Sequence, residues 1–69
     1  MTNTIKLKKV IAKSGLKTSA ICERTGIKQS TLYNKLNDRA GEFTVTEAQA
    51  LSNALNLTDK QRKEIFFAN

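Results

Sequence analysis

Chemistry that needs a titrating base has little to work with in this chain. It contains no histidine, and Cys22, its one cysteine, has no histidine beside it to take its proton and no acidic residue placed to orient such a base. The same two counts argue against an internal disulfide and a Cys-rich zinc site, and the sequence holds no glycine-rich phosphate loop. Cys22 therefore reads as a small core residue. No catalytic residue, metal site or cofactor is expected, and the chain is not expected to be an enzyme. A chain of 69 residues buries only roughly 60% of its unfolded surface, which leaves room for one thin core and no large substrate cavity.

What the chain does carry is charge. Twelve Lys and Arg stand against six Asp and Glu, a net charge of +6. The excess is uneven: residues 1–36 hold Lys6, Lys8, Lys9, Lys13, Lys17, Arg24, Lys28 and Lys35 against Glu23 alone, a net +7, while residues 37–69 balance to −1. A basic half of this kind fits a polyanionic partner, either nucleic acid or an acidic membrane or protein surface. A membrane role is not expected. No apolar run approaches the roughly 20 residues that cross a bilayer, and the basic first helix lacks aromatic residues and needs its apolar stripe to cover the core. Met1 is followed by the polar Thr2, Asn3 and Thr4, and Val10-Ile11-Ala12 is too brief for a signal-peptide core, so a cytoplasmic location is expected.

Short helices must position these side chains, because a small chain without staples is held by compact packing alone. Leu7, Val10, Ile11 and Ser14 recur at three and four, which predicts a helix from about residue 3 to 14 that stops at Gly15. Lys6, Lys9 and Lys13 form a stripe beside its apolar face. A second helix runs from Thr18 to Thr25 with Ile21 and Cys22 inward, and Gly26 ends it. The chain turns through Gly26-Ile27-Lys28 into a third helix over 29–36, where Leu32 and Leu36 share a face and Ile27 closes the cluster. A polar loop over 37–42 follows. Thr44 with Glu47 forms a capping box for a fourth helix, apolar at Ala48, Leu51, Ala54 and Leu55 and ending near Asn56; Thr58 with Gln61 repeats the box for a fifth, which ends in Ile65-Phe66-Phe67. No repeat or linker divides the chain. The expectation is a single all-α domain over residues 1–69, a compact bundle of five short helices with a helix-turn-helix at about 18–36.

The helix-turn-helix has mechanical content. A small residue four places before the turn glycine lets two helices cross closely, and an apolar residue six places after it anchors the second helix. Cys22, Gly26 and Leu32 fill those positions. A packed helical hairpin with no DNA role could show the same three residues, but here the exposed face of the second helix is Gln, Ser, Tyr and Asn and the half-chain around it carries +7. Together these predict binding to double-stranded DNA.

The runs Ser14-Gly15-Leu16-Lys17, Cys22-Glu23-Arg24-Thr25-Gly26-Ile27 and Ser30-Thr31-Leu32-Tyr33-Asn34-Lys35-Leu36-Asn37 resemble the small Cro-like and repressor-like helix-turn-helix regulators of temperate bacteriophages. Phe43-Thr44 and Glu64-Ile65-Phe66-Phe67 resemble a subset from phages of Gram-positive bacteria. The resemblance covers nearly the whole chain. It implies a lambda-repressor-like fold, a place in the lysogeny switch and action in the cytoplasm of a bacterial host. Some members of that subset bind operator DNA as Cro-type repressors, while others are antirepressors, or modulators of repression, that bind the phage's main repressor.

Carried over by position, the resemblance puts Gln29, Ser30, Tyr33 and Asn34 at groove-facing places of the recognition helix, with Asn37 just beyond. Gln29 can pair bidentately with adenine, Ser30 can donate or accept, and Tyr33 can place its ring on a thymine methyl or its hydroxyl on a phosphate. Thr18 stands where the family commonly has a phosphate-binding Gln; its hydroxyl and amide can still donate, with shorter reach. Lys28 departs further, because it occupies the cap position of the recognition helix, where Ser or Thr is usual. A lysine cannot accept the orphan amide and lies at the positive end of the helix dipole, a local cost consistent with Lys28 meeting a phosphate or an acidic partner. Lys6, Lys9, Lys13, Lys17, Lys35 and Arg39 are the further phosphate or electrostatic candidates.

Ile65, Phe66 and Phe67 are consecutive, and adjacent helical residues point about 100° apart, so all three cannot face one core. At least one is expected on the surface, which makes this cluster the candidate patch for a homodimer or another partner. A Cro-type repressor would normally dimerise to reach two half-sites. An antirepressor would turn the same basic surface on another repressor's DNA-binding face, and charge by itself fits both.

Overall fold

Helices form here where apolar spacing coincides with a cap. The computed structural model describes residues 1–67. Helix α1 spans Thr4–Ser14, with the Asn3 side chain accepting from the Lys6 amide at 3.1 Å and Gly15 stopping it at φ +72°. Helices α2, Thr18–Thr25, and α3, Gln29–Leu36, follow, then α4, Val45–Ala54, and α5, Asp59–Phe66. Both capping boxes are formed, Thr44 with Glu47 and Thr58 with Gln61. Among the described residues there is no strand.

Helices α3 and α4 end in the same way. Asp38 at φ +57° and Asn56 at φ +54° take the left-handed conformation that short polar side chains tolerate. The next amide then returns to the helix: Arg39 N–H donates to the Asn34 carbonyl at 2.7 Å, and Leu57 N–H to the Ser52 carbonyl at 2.9 Å. These are Schellman closures without glycine.

Each helix sends one fully buried residue into the core: Leu7, Ile21, Leu32, Leu51 and Ile65. Ile27 from the α2–α3 turn, Ala48 and Phe66 complete it, and Val10, Ile11, Leu16, Cys22, Leu36, Phe43, Leu55 and Leu57 pack around the outside. Burying a leucine-sized side chain contributes about 1.5–3 kcal/mol, so five such residues meeting at one point suffice to join helices of 8 to 11 residues that would not be stable alone. Helix α2 lies against α3 and, more extensively, α4, while α1 lies against α3 and α5. The Asn3 amide donates to the Ile65 carbonyl at 2.6 Å and ties the start of α1 to the end of α5.

The core corrects the reading of the carboxyl-terminal cluster. Ile65 is fully buried and Phe66 nearly so, its ring edge-on to Phe43 at 6.1 Å, so neither is available to a partner. Two adjacent residues can both be buried because the last turn of α5 meets neighbours on more than one side, with α5 packed on α1 and the Phe66 ring on Phe43. Only Phe67, 56% exposed, remains on the surface.

Candidate nucleic-acid interface

The α2–α3 corner is built from backbone constraints first. Gly26 takes φ +76°, and its N–H donates to the Cys22 carbonyl at 2.8 Å. A Cβ at Gly26 would meet nothing within 4 Å, so the demand for glycine comes from φ and not from space. Thr25 holds the corner on the other side: its hydroxyl donates to the Ile21 carbonyl at 2.8 Å and accepts from the Ile27 amide at 3.2 Å. Ile27 then enters the core, and α3 starts one residue later at a defined angle. Cys22 is half-buried, and burial pushes its thiol pKa up, so it remains protonated.

On α3, Gln29, Ser30 and Tyr33 are exposed and fall within an arc of about 100° at 100° per residue. Tyr33 is 56% exposed, and the Arg39 guanidinium lies 5.8 Å from its ring centroid. The Schellman closure sends Arg39 back along the helix to that position. Asn34 is half-buried. Asn37 is half-buried: its amide nitrogen donates to the Tyr33 carbonyl at 2.8 Å, and its oxygen accepts from Lys8 Nζ at 3.1 Å. Both ends of the Asn37 amide thus serve the end of α3.

The cations divide into two groups. Lys9, Lys13, Lys17 and Lys28 are exposed and form no ion pair among the described residues. Thr18, exposed at the first position of α2, lies beside Lys17. Neither Lys17 nor Lys28, at the caps of α2 and α3, makes a side-chain cap, whereas α1, α4 and α5 are all capped by Asn or Thr. Two of the candidates engage carboxylates. Lys6 pairs with Glu64. Lys35 donates to Glu47 Oε1 at 2.6 Å, with its side chain only 12% exposed. Both pairs join residues too far apart in sequence for helical spacing to have matched them.

A second set of polar contacts escaped sequence reasoning for the same reason. The Thr2 amide and hydroxyl both donate to Glu42, at 2.7 and 2.9 Å, and the Thr4 hydroxyl donates to Asp38 at 3.3 Å. With Lys8–Asn37 these bonds fasten the start of α1 to the loop that follows α3. The Glu42 carboxyl is held below its usual range by the Thr2 hydroxyl first and the Thr2 amide second.

This corner, with an exposed polar α3 and with Lys17 and Lys28 at the helix starts in no ion pair among the described residues, has a counterpart among known families. The sequence model of the Cro/C1-type HTH DNA-binding domain matches residues 6–59. The chain belongs to that family. The match runs from the first turn of α1 to the first residue of α5, so it contains the whole helix-turn-helix. No curated protein and no solved structure matches the chain. As a Cro/C1-type HTH domain the protein is a DNA-binding regulator, with α2 and α3 as its helix-turn-helix. Among the described residues no helix is long and apolar enough to cross a membrane, and no group of three or more His, Cys, Asp or Glu is placed to hold a metal ion.

Proposed function

We propose that the protein is a sequence-specific transcriptional regulator of Cro/repressor type that lays α3 in the major groove of operator DNA. One observation carries the reading: the solvent face of α3 offers Gln29, Ser30 and Tyr33 as hydrogen-bonding groups, while Lys17 and Lys28, exposed and in no ion pair among the described residues, stand at the starts of α2 and α3. Gln29 and Ser30 read base edges, Tyr33 reaches a thymine methyl or a phosphate, and Asn34 lies at the margin. Thr18, Lys17 and Lys28 sit on the backbone and fix the register, and Lys9, Lys13 and Arg39 extend the cationic rim.

The operator-binding form is a homodimer. Half-sites repeat at about 34 Å, and two copies are needed to present one α3 to each. Phe67, exposed beside the end of α5, is the contact offered to the second copy. Double-stranded operator DNA is the primary partner and a phage host cell the setting.

Fluorescence anisotropy with duplexes from the gene's own neighbourhood tests this across a salt series, with the adjacent repressor present or absent. Five cationic contacts per subunit, Lys9, Lys13, Lys17, Lys28 and Arg39, predict a slope of log K against log salt of about −4.5 per subunit, together with sequence preference. Gln29→Ala combined with Ser30→Ala should remove the preference and leave the slope intact. Weak, sequence-blind DNA binding with tight association to the repressor would instead assign the protein as an antirepressor.

A further inference from the structure

We propose that Lys35 and Glu47 are positioning residues, whose ion pair sets the angle at which α3 presents Gln29, Ser30 and Tyr33 to the bases. The proposal rests on the DNA-binding reading above and adds a determinant of specificity that itself touches no DNA.

The backbone of α3 lies against α1 and α2 and stands off from α4. Between them an open cleft of about 340 Å³ is lined by the turn over 25–28, by Thr31, and by Thr46, Glu47 and Ala50. Among the described residues Lys35–Glu47 is the one polar side-chain link from α3 to α4. It closes the carboxyl-terminal end of α3 onto the first turn of α4 and leaves the other end beside the cleft.

The link is rigid at both ends. Glu47 Oε1 accepts from Lys35 Nζ at 2.6 Å and from the Thr44 amide at 2.9 Å, and the Glu47 amide donates to the Thr44 hydroxyl at 3.1 Å. The carboxylate is therefore fixed by the capping box before Lys35 reaches it. The Lys35 ammonium also lies 5.8 Å from the Phe43 ring centroid, and Phe43 meets Phe66 edge-on in the core. Burial raises the Glu47 carboxyl, but the Lys35 hydrogen bond, the Thr44 amide and the lysine's charge together outweigh it and hold the group below its usual range.

A pair whose side chains are only 12% and 21% exposed gives up much hydration, and such pairs add little net stability over an apolar replacement. What they can supply is a single preferred arrangement. The lever is long enough to matter. Gln29 lies six residues from Lys35, about 9 Å along the helix, so a pivot of about 6° displaces it by about 1 Å, enough to break a hydrogen bond.

Glu47→Gln removes the charge and keeps the box, since Gln61 fills the same position in α5. Lys35→Met with Glu47→Gln removes both charges and leaves no buried ion unpaired, and it carries the test if the single variant fails to fold. The preferred duplex is selected by the wild-type chain from a randomised library, and anisotropy compares it with a scrambled duplex across a salt series. In both variants the ratio of selected to scrambled affinity should fall about tenfold, within the range of one misaligned bidentate contact. For Glu47→Gln the salt slope and the affinity for scrambled duplex should stay at wild-type values, which a merely destabilising change would not separate from the ratio. A change in ratio of less than about twofold in the double variant overturns the proposal. So does a uniform loss on both duplexes in the double variant with a slope smaller by about one, which would make Lys35 a phosphate contact. If the wild-type chain selects no sequence, the DNA-binding reading fails on its own. Amide hydrogen exchange over 29–36 in free Glu47→Gln then decides the link: faster exchange supports it and unchanged exchange rejects it.

Discussion

Lys28 is the residue at which folding and binding pull in opposite directions. It sits at the cap of α3 with an extended backbone, φ −64° and ψ 146°, the geometry in which Ser or Thr would accept an amide, yet it makes no cap bond and adds positive charge where the dipole is positive. Lys28→Ser should therefore stabilise the fold by ~1 kcal/mol in urea titration. The same change should weaken binding to every duplex and reduce the salt slope by about one. A variant that gained stability while keeping its full slope would remove Lys28 from the interface. Both the missing cap and the outward place of Gln29 and Ser30 were legible from sequence, because they depend on neighbours three residues away. The fates of Lys6, Lys35 and Asn37 were not, because their partners Glu64, Glu47 and Lys8 come from other helices.

At the level of the element, each helix is bounded by local chemistry strong enough to be read from the chain. Both capping boxes formed at the residues that signalled them, and the glycines after α1 and α2 take the positive φ their positions called for. Thr58→Ala should cost ~1 kcal/mol, measured by chemical denaturation, with the loss concentrated in hydrogen exchange of α5. The closures at Asp38 and Asn56 were not anticipated, since Asp and Asn in a polar loop are compatible with many turns. Asp38 decides where Arg39 goes. Asp38→Gly keeps the left-handed geometry but loses the bond from Thr4 and should cost about 1 kcal/mol, whereas Asp38→Val adds about 1–2 kcal/mol of left-handed strain and releases Arg39 from Tyr33. Loss of the Arg39–Tyr33 stack is visible in the Tyr33 ring proton shifts.

The core centres on one fully buried residue from each helix, which leaves the molecule little reserve. A chain of this size is expected to have a stability of about 3–10 kcal/mol, and truncating a buried leucine costs about 2–5 kcal/mol. Leu51→Ala, or Leu32→Ala, should lower the melting temperature steeply and can leave much of the chain unfolded at 37 °C. The pH response follows from carboxylates alone, because there is no histidine to titrate near neutrality. Glu42, Glu47 and Glu64 are all depressed below their usual 4.5, Glu64 chiefly by the hydrogen bond from Lys6. A depressed acid favours the native state when ionised, so its contribution is complete above 4.5 and is lost as the pH falls through the lower folded values. These groups predict a melting temperature level from about pH 5 to 8 and falling below pH 4.5. The decline should be smaller in Glu47→Gln.

By itself the sequence determined five helices, their caps, the glycine corner, and a basic half carrying the polar face of α3. Those features arise from interactions within a few residues, or from composition, and need no knowledge of the rest of the chain. Only tertiary structure decided which lysines remain free for a polyanion. Packing brings Glu64 to Lys6 and Glu47 to Lys35, and it draws Ile65 and Phe66 into the core beside Phe43, leaving Phe67 outside. Ion pairing and burial depend on distance in space, and in a chain this small one closing contact changes a surface charge into a structural one.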